Sequence, residues 1–205
     1  MLSSRRVLPW IAGLAFLLAA TRAEAHAVIS TRGPFIGGVK HFFISLDDVL
    51  AALALGIVAS QCVAKAANKI FWGLPAAWLL AGVGGLWSNQ PVAAAEIFSA
   101  GSLLVVGVLA ATSLTLSARL TLLLAVLTGG LHGFLNGAAM QPATFGAGLW
   151  QLLGIGASVA FVAVYPSTLL EIFKQSWTRI VARVLGSWIA ATGLLLIGWT
   201  FRLKK

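Results

Sequence analysis

The chain has 205 residues, 60% of them hydrophobic and 9% charged, against about 25% charged in a soluble domain. Five acidic side chains cannot dress a 21.3 kDa globule in water, which excludes a soluble enzyme and a disordered chain, and the single Cys62 excludes a disulfide scaffold or a CxxC metal motif. The formal charge of +9 comes from basic residues scattered between apolar runs, a membrane-protein pattern and not a nucleic-acid-binding one.

In chain order, residues 1–25 read as a secretory signal peptide. Arg5 and Arg6 make a positive start, Val7 to Ala20 an apolar stretch, and Ala23-Glu24-Ala25 the small-residue cleavage pattern. Cleavage there makes His26 the new amino terminus and leaves residues 26–205 as one membrane domain. Crossing a hydrocarbon core of about 30 Å takes roughly 20 apolar residues in helix. Six stretches meet that test: 42–62, 70–87, 93–117, 119–140, 147–170 and 180–201. Lipid offers nothing to backbone polar groups, so the spans are helices, and the alternation of a membrane barrel is absent. The predicted fold is an all-α polytopic bundle of six transmembrane helices.

The first, third and fifth loops carry Lys65, Lys69, Arg119, Lys174, Arg179 and Arg183, whereas the second and fourth carry no basic residue. Positive loops stay in the cytoplasm. This predicts a multi-pass protein of the bacterial inner membrane with its mature amino terminus in the periplasm, as a cleaved signal peptide also requires. The tail, Arg202, Lys204 and Lys205, runs against the rule.

Ionisable groups inside spans are costly and mark function by default. Read as one helix, the first span puts His41, Ser45 and Asp48 on a single stripe, with Asp47 roughly 120° from His41. Adjacent carboxylates repel unless a cation, a proton or a basic group intervenes. On the fourth span His132 and Asn136 stand one above the other, beside a ridge of Gly129, Gly133 and Gly137 that admits a close neighbour. Glu96 and Gln151 lie at the outer ends of the third and fifth spans. In this topology His41, Asp47, Asp48, Glu96, His132, Asn136 and Gln151 all fall in the outer half. The alternative for the first-span residues is an interfacial cap facing water, and for His132 an interhelical hydrogen bond.

The order of these motifs resembles the HupE/UreJ family of small membrane proteins, associated with nickel or cobalt uptake. The first helix of the family carries His-x5-Asp-His, matched here by His41, Asp47 and, in place of the second histidine, Asp48. A third-helix pattern E-x5-S-x4-G is met by Glu96, Ser102 and Gly107. A fourth-helix pattern resembling FHGxAHGxE is met from Leu131, with Asn136 for its second histidine and Ala139 for its glutamate. The fifth helix has Gln151 where the family has histidine. The resemblance implies a secondary permease or binding protein for a divalent transition-metal cation carried as substrate, with no covalent cofactor. The implied ligands are His41, Asp47, Asp48, His132 and Asn136. Nickel and cobalt favour imidazole, and oxygen donors suit harder cations, so the substitutions imply weaker or altered selectivity.

The expected partners are the lipid bilayer, the cation and other membrane proteins, with no nucleic acid. The chain lacks a G-x4-G-K-[ST] phosphate loop, so the driving force is a gradient or a partner, and no enzyme activity is expected. Two other classes fit the residues: a structural subunit of a membrane complex, and a membrane enzyme or haem protein with His41 and His132 as axial ligands.

Overall fold

The computed structural model describes residues 33–172 and 176–203. The expected leader, its cleavage site and His26 lie outside the described residues. Among the described residues seven helices follow in order: α1 (Pro34–Ile44), α2 (Leu46–Ser60), α3 (Ala64–Ser88), α4 (Ala95–Thr112), α5 (Ala118–Ala139), α6 (Phe145–Ile172) and α7 (Ser176–Leu203). Five of them, α3 to α7, are individually long and apolar enough to cross a membrane, and α1 with α2 makes a sixth, bent candidate. The fold is an all-α membrane bundle.

The first span is not one helix. The axes of α1 and α2 meet at 78° about Ser45, so His41 and Asp48 do not share a helical stripe. No proline or glycine stands at the break. Ser45 leaves the helical region with φ −75° and ψ 89° and closes α1 through its backbone N–H on the His41 carbonyl (2.9 Å). It is also the residue before α2, whose first turn carries Asp47 and Asp48. Acidic side chains favour the positive end of a helix dipole, and the Ser45 side chain itself makes no capping hydrogen bond there. Broken helices at membrane depth are tolerated where protein covers them. Here α1 lies against α6, with Gly38 pressed on the Gln151 backbone and Gly154 on that of Phe35.

Other boundaries also move. The second span begins at Ala64, so Lys65 and Lys69 project from the first turns of α3, both exposed. Likewise Arg179 and Arg183 ride on α7. Long basic side chains reach the interface from a helix end, so no loop is needed to keep them in water.

Packing follows small residues. A Cβ at Gly133 would strike the Trp78 carbonyl, one at Gly137 the Gly82 carbonyl, and one at Gly129 the Leu74 carbonyl at 2.6 Å. Rising numbers pair with rising numbers, so α3 and α5 run parallel at close approach along the predicted ridge. α4 and α7 run antiparallel, Gly107 meeting Ala190 and Gly193 meeting Ala100. At the centre stands α2, with nine of its fifteen residues buried, Asp48 among eight small or apolar ones. A helix apolar all round belongs in an interior. The outward faces of α3 to α7 are apolar, and exposed tryptophans stand toward the ends of three of them, Trp87 on α3, Trp150 on α6, and Trp177 and Trp199 on α7, with Trp72 and Trp188 further in. Such aromatic belts sit at the two membrane interfaces.

Candidate metal centre

The break at Ser45 sets the start of α2 among three other helices, so Asp47 and Asp48 project into protein. Asp48 is 3% exposed, His132 1% and Asn136 6%. His132 Nδ1 lies 2.8 Å from Asp48 Oδ1, the one ion pair among the described residues. Asn136 donates through Nδ2 to Asp48 Oδ2 (2.9 Å) and to the His132 carbonyl (2.8 Å). Both of those partners are acceptors, so the amide orientation is settled, and Asn136 Oδ1 accepts from His41 Nε2 at 2.8 Å. The hydrogen-bonded chain therefore runs from exposed His41 on α1, through Asn136, to buried Asp48 and His132.

The five sequence-predicted residues thus fall into one connected group. Asp47, half-buried, accepts from Ser99 Oγ at 2.6 Å. Asp47, Asp48 and His132 each present a donor atom, and these atoms lie within 4.8 Å of one another, close enough to share one cation. Glu96 and Gln151 do not join. Glu96 is exposed at the start of α4, and Gln151 contributes its backbone to the crossing with α1.

Three contributors escaped sequence reasoning. Ser99 holds Asp47, and Ser102 Oγ lies 2.7 Å from His132 Nε2. Ser102 stood in the family pattern, but nothing in its spacing tied it to the histidine. The third is Trp78 on α3, fully buried, whose ring lies 5.3 Å from the His132 ring at 32°. Gly133 beside His132 lets the Trp78 backbone in, which brings the indole over the imidazole. The glycine ridge was the available signal for that neighbour.

Chemically, two adjacent carboxylates are buried or half-buried with a single imidazole partner. Among the described residues no lysine or arginine pairs with either. Buried negative charge is expensive unless compensated. A divalent cation among these oxygens would supply the compensation, and the oxygen-rich donor set could hold one.

A bundle of helices long and apolar enough to cross the membrane several times, with a broken helix presenting carboxylates to an imidazole inside it, defines a polytopic membrane protein with a buried cluster that could hold a cation. Ion sites at discontinuous helices are a recurring transporter device. The chain belongs to the HupE/UreJ family: the family model described as HupE / UreJ protein matches residues 14–196. That family is of the permease type and is not a family of enzymes. No curated protein and no solved structure matches the chain.

Proposed function

We propose that this protein is a secondary permease for a divalent transition-metal cation of the nickel or cobalt kind. Asp47, Asp48 and His132 hold the ion, and Asn136 and His41 line its way in. The observation that carries this reading is the group of donor atoms within 4.8 Å on two carboxylates and an imidazole at the head of a broken helix. Family membership supports it.

As the protein stands, every donor of His132 and Asn136 is already bonded within the group. An arriving ion therefore exchanges internal hydrogen bonds for coordination. His41, exposed and with its ring attached among the described residues to the Asn136 amide alone, meets the ion first. In the same reading the ends bearing Lys65, Arg119 and Arg179 face the cytoplasm of a bacterial cell, and the centre opens to the periplasm.

The test is uptake of radioactive nickel and cobalt into cells and proteoliposomes. Asp48→Asn and His132→Ala are expected to lower uptake at least about tenfold, the scale on which metal sites respond to losing a supporting group. Undiminished uptake in both variants, with the protein present in the membrane, overturns the proposal.

A further inference from the structure

Ser102 supplies one more piece of this centre, and hydrogen accounting shows how. A hydroxyl has one hydrogen to give. Ser102 Oγ donates it to the Ser99 carbonyl at 2.7 Å, and a carbonyl can only accept. The contact between Ser102 Oγ and His132 Nε2 must then run the other way, with Nε2–H donating to the oxygen. Nδ1 then faces Asp48 and, beyond it, Asp47, across a 2.8 Å contact to Asp48 Oδ1 that needs a hydrogen of its own, the one a cation bound at Nδ1 would displace.

We propose that Ser102 is a positioning residue that selects Nδ1 of His132 as the cation's nitrogen ligand and aims it at the two carboxylates. The inference rests on the reading of Asp47, Asp48 and His132 as the cation site. Histidines that ligate metals donate their other N–H to an acceptor that fixes the tautomer and the ring direction. Here the acceptor is a hydroxyl anchored in turn on the Ser99 carbonyl. Intrahelical satisfaction alone does not account for the contact. Ser60, Ser88 and Ser187 each donate to the carbonyl three residues back and have no such second partner. Ser99 does parallel service, its hydroxyl binding Asp47 Oδ2 while its carbonyl anchors Ser102. One turn of α4 therefore orients a ligand from α2 and a ligand from α5.

The surroundings provide a conservative control. Ser102 borders a cavity of about 210 Å³ between α4 and α5, lined also by Gly101, Val105, Leu124 and Thr128. An added methyl group has room there, so Ser102→Thr can keep the hydroxyl in place without overpacking.

The experiment titrates the purified full chain in detergent with Co²⁺ alone, reading affinity by calorimetry and ligand geometry by the visible absorption bands. Ser102→Ala is expected to weaken Co²⁺ binding about tenfold or more and to shift or broaden the bands, while Ser102→Thr stays within about threefold of the parent with its spectrum. Should Ser102→Ala fail to fold, Ser102→Val, which has no hydrogen-bonding group and no ligand atom, replaces it with the same expected loss. Parent affinity and spectrum in the alanine or valine variant overturn the positioning role. So does loss in Ser102→Thr equal to that in the alanine variant. If Co²⁺ binds the parent and is lost in His132→Ala, the cation site stands whatever Ser102 does. No Co²⁺ binding by the parent removes both.

Discussion

Asn136 shows how much one side chain joins. Its amide donates to Asp48 and to its own helix at His132, and accepts from His41 across a sequence separation of 95 residues. Replacing Asn136 by Ala leaves buried Asp48 short of a partner, which costs about 1–3 kcal/mol for the unsatisfied group, and frees exposed His41 from the bundle. The melting midpoint in detergent is expected to fall. Asn136→Asp is more informative. It puts a third carboxylate beside Asp48 Oδ2, where a donor stood at 2.9 Å, and like charges at that distance repel. The midpoint should drop without metal and recover when Co²⁺ is added. A midpoint insensitive to Co²⁺ argues against a cation among these oxygens. The sequence pointed to all five members of the group because ionisable and amide residues are rare inside apolar runs. Ser99 and Ser102 escaped because hydroxyls are common there, most of them bonded to their own helix.

At the scale of elements, the glycine ridge and the broken span make opposite cases. The ridge was legible because a repeat every four residues is a local property of one helix. Which helix it meets was not, and the structure supplies α3 with Gly82 and Gly85 facing it. A side chain at Gly133 must push two backbones apart, so Gly133→Ala is expected to cost about 1–3 kcal/mol, the usual range for overpacking. Gly101→Ala meets no atom within 4 Å and should leave the midpoint in place or raise it slightly through helix propensity. Thermal melts of the two variants check the contrast. Equal midpoints would mean that α3 and α5 do not meet along this ridge. The break at Ser45 went unread because hydropathy runs straight through it. The available signal was a serine followed by two acidic residues, the mark of a helix start, and apolar neighbours on both sides masked it.

For the whole molecule, the two ends of the bundle differ in charge, five exposed basic residues at one end against Lys40 and Arg202, with Asp47, Asp48 and Glu96, at the other. α3, α5 and α7 each begin with exposed basic residues, Lys65 and Lys69, Arg119, and Arg179 and Arg183. The opposite end holds the His41 to Asp48 group. Cys62 lies between α2 and α3 at the basic end, partly exposed, and is the chain's single cysteine. A membrane-impermeant maleimide is therefore expected to label it in inverted membrane vesicles and not in intact spheroplasts. The reverse pattern places the His41 to Asp48 group on the cytoplasmic side and turns the proposed direction of transport round. The native cysteine makes the measurement free of substitutions.

Residence in a membrane, the all-helical class and the approximate number of spans were determined by sequence alone. They follow from composition and run length, and lipid forces any long apolar run into helix. Family membership, too, was visible in the order of the motifs along the chain. Only the tertiary structure decided that the first span bends at Ser45, that α2 occupies the centre, and that Asp48 meets His132 and Asn136, which lie 84 and 88 residues further on. The physical reason is that hydropathy is summed along one helix, whereas a hydrogen bond depends on how separate helices cross, and crossings are set by the shapes of several surfaces at once.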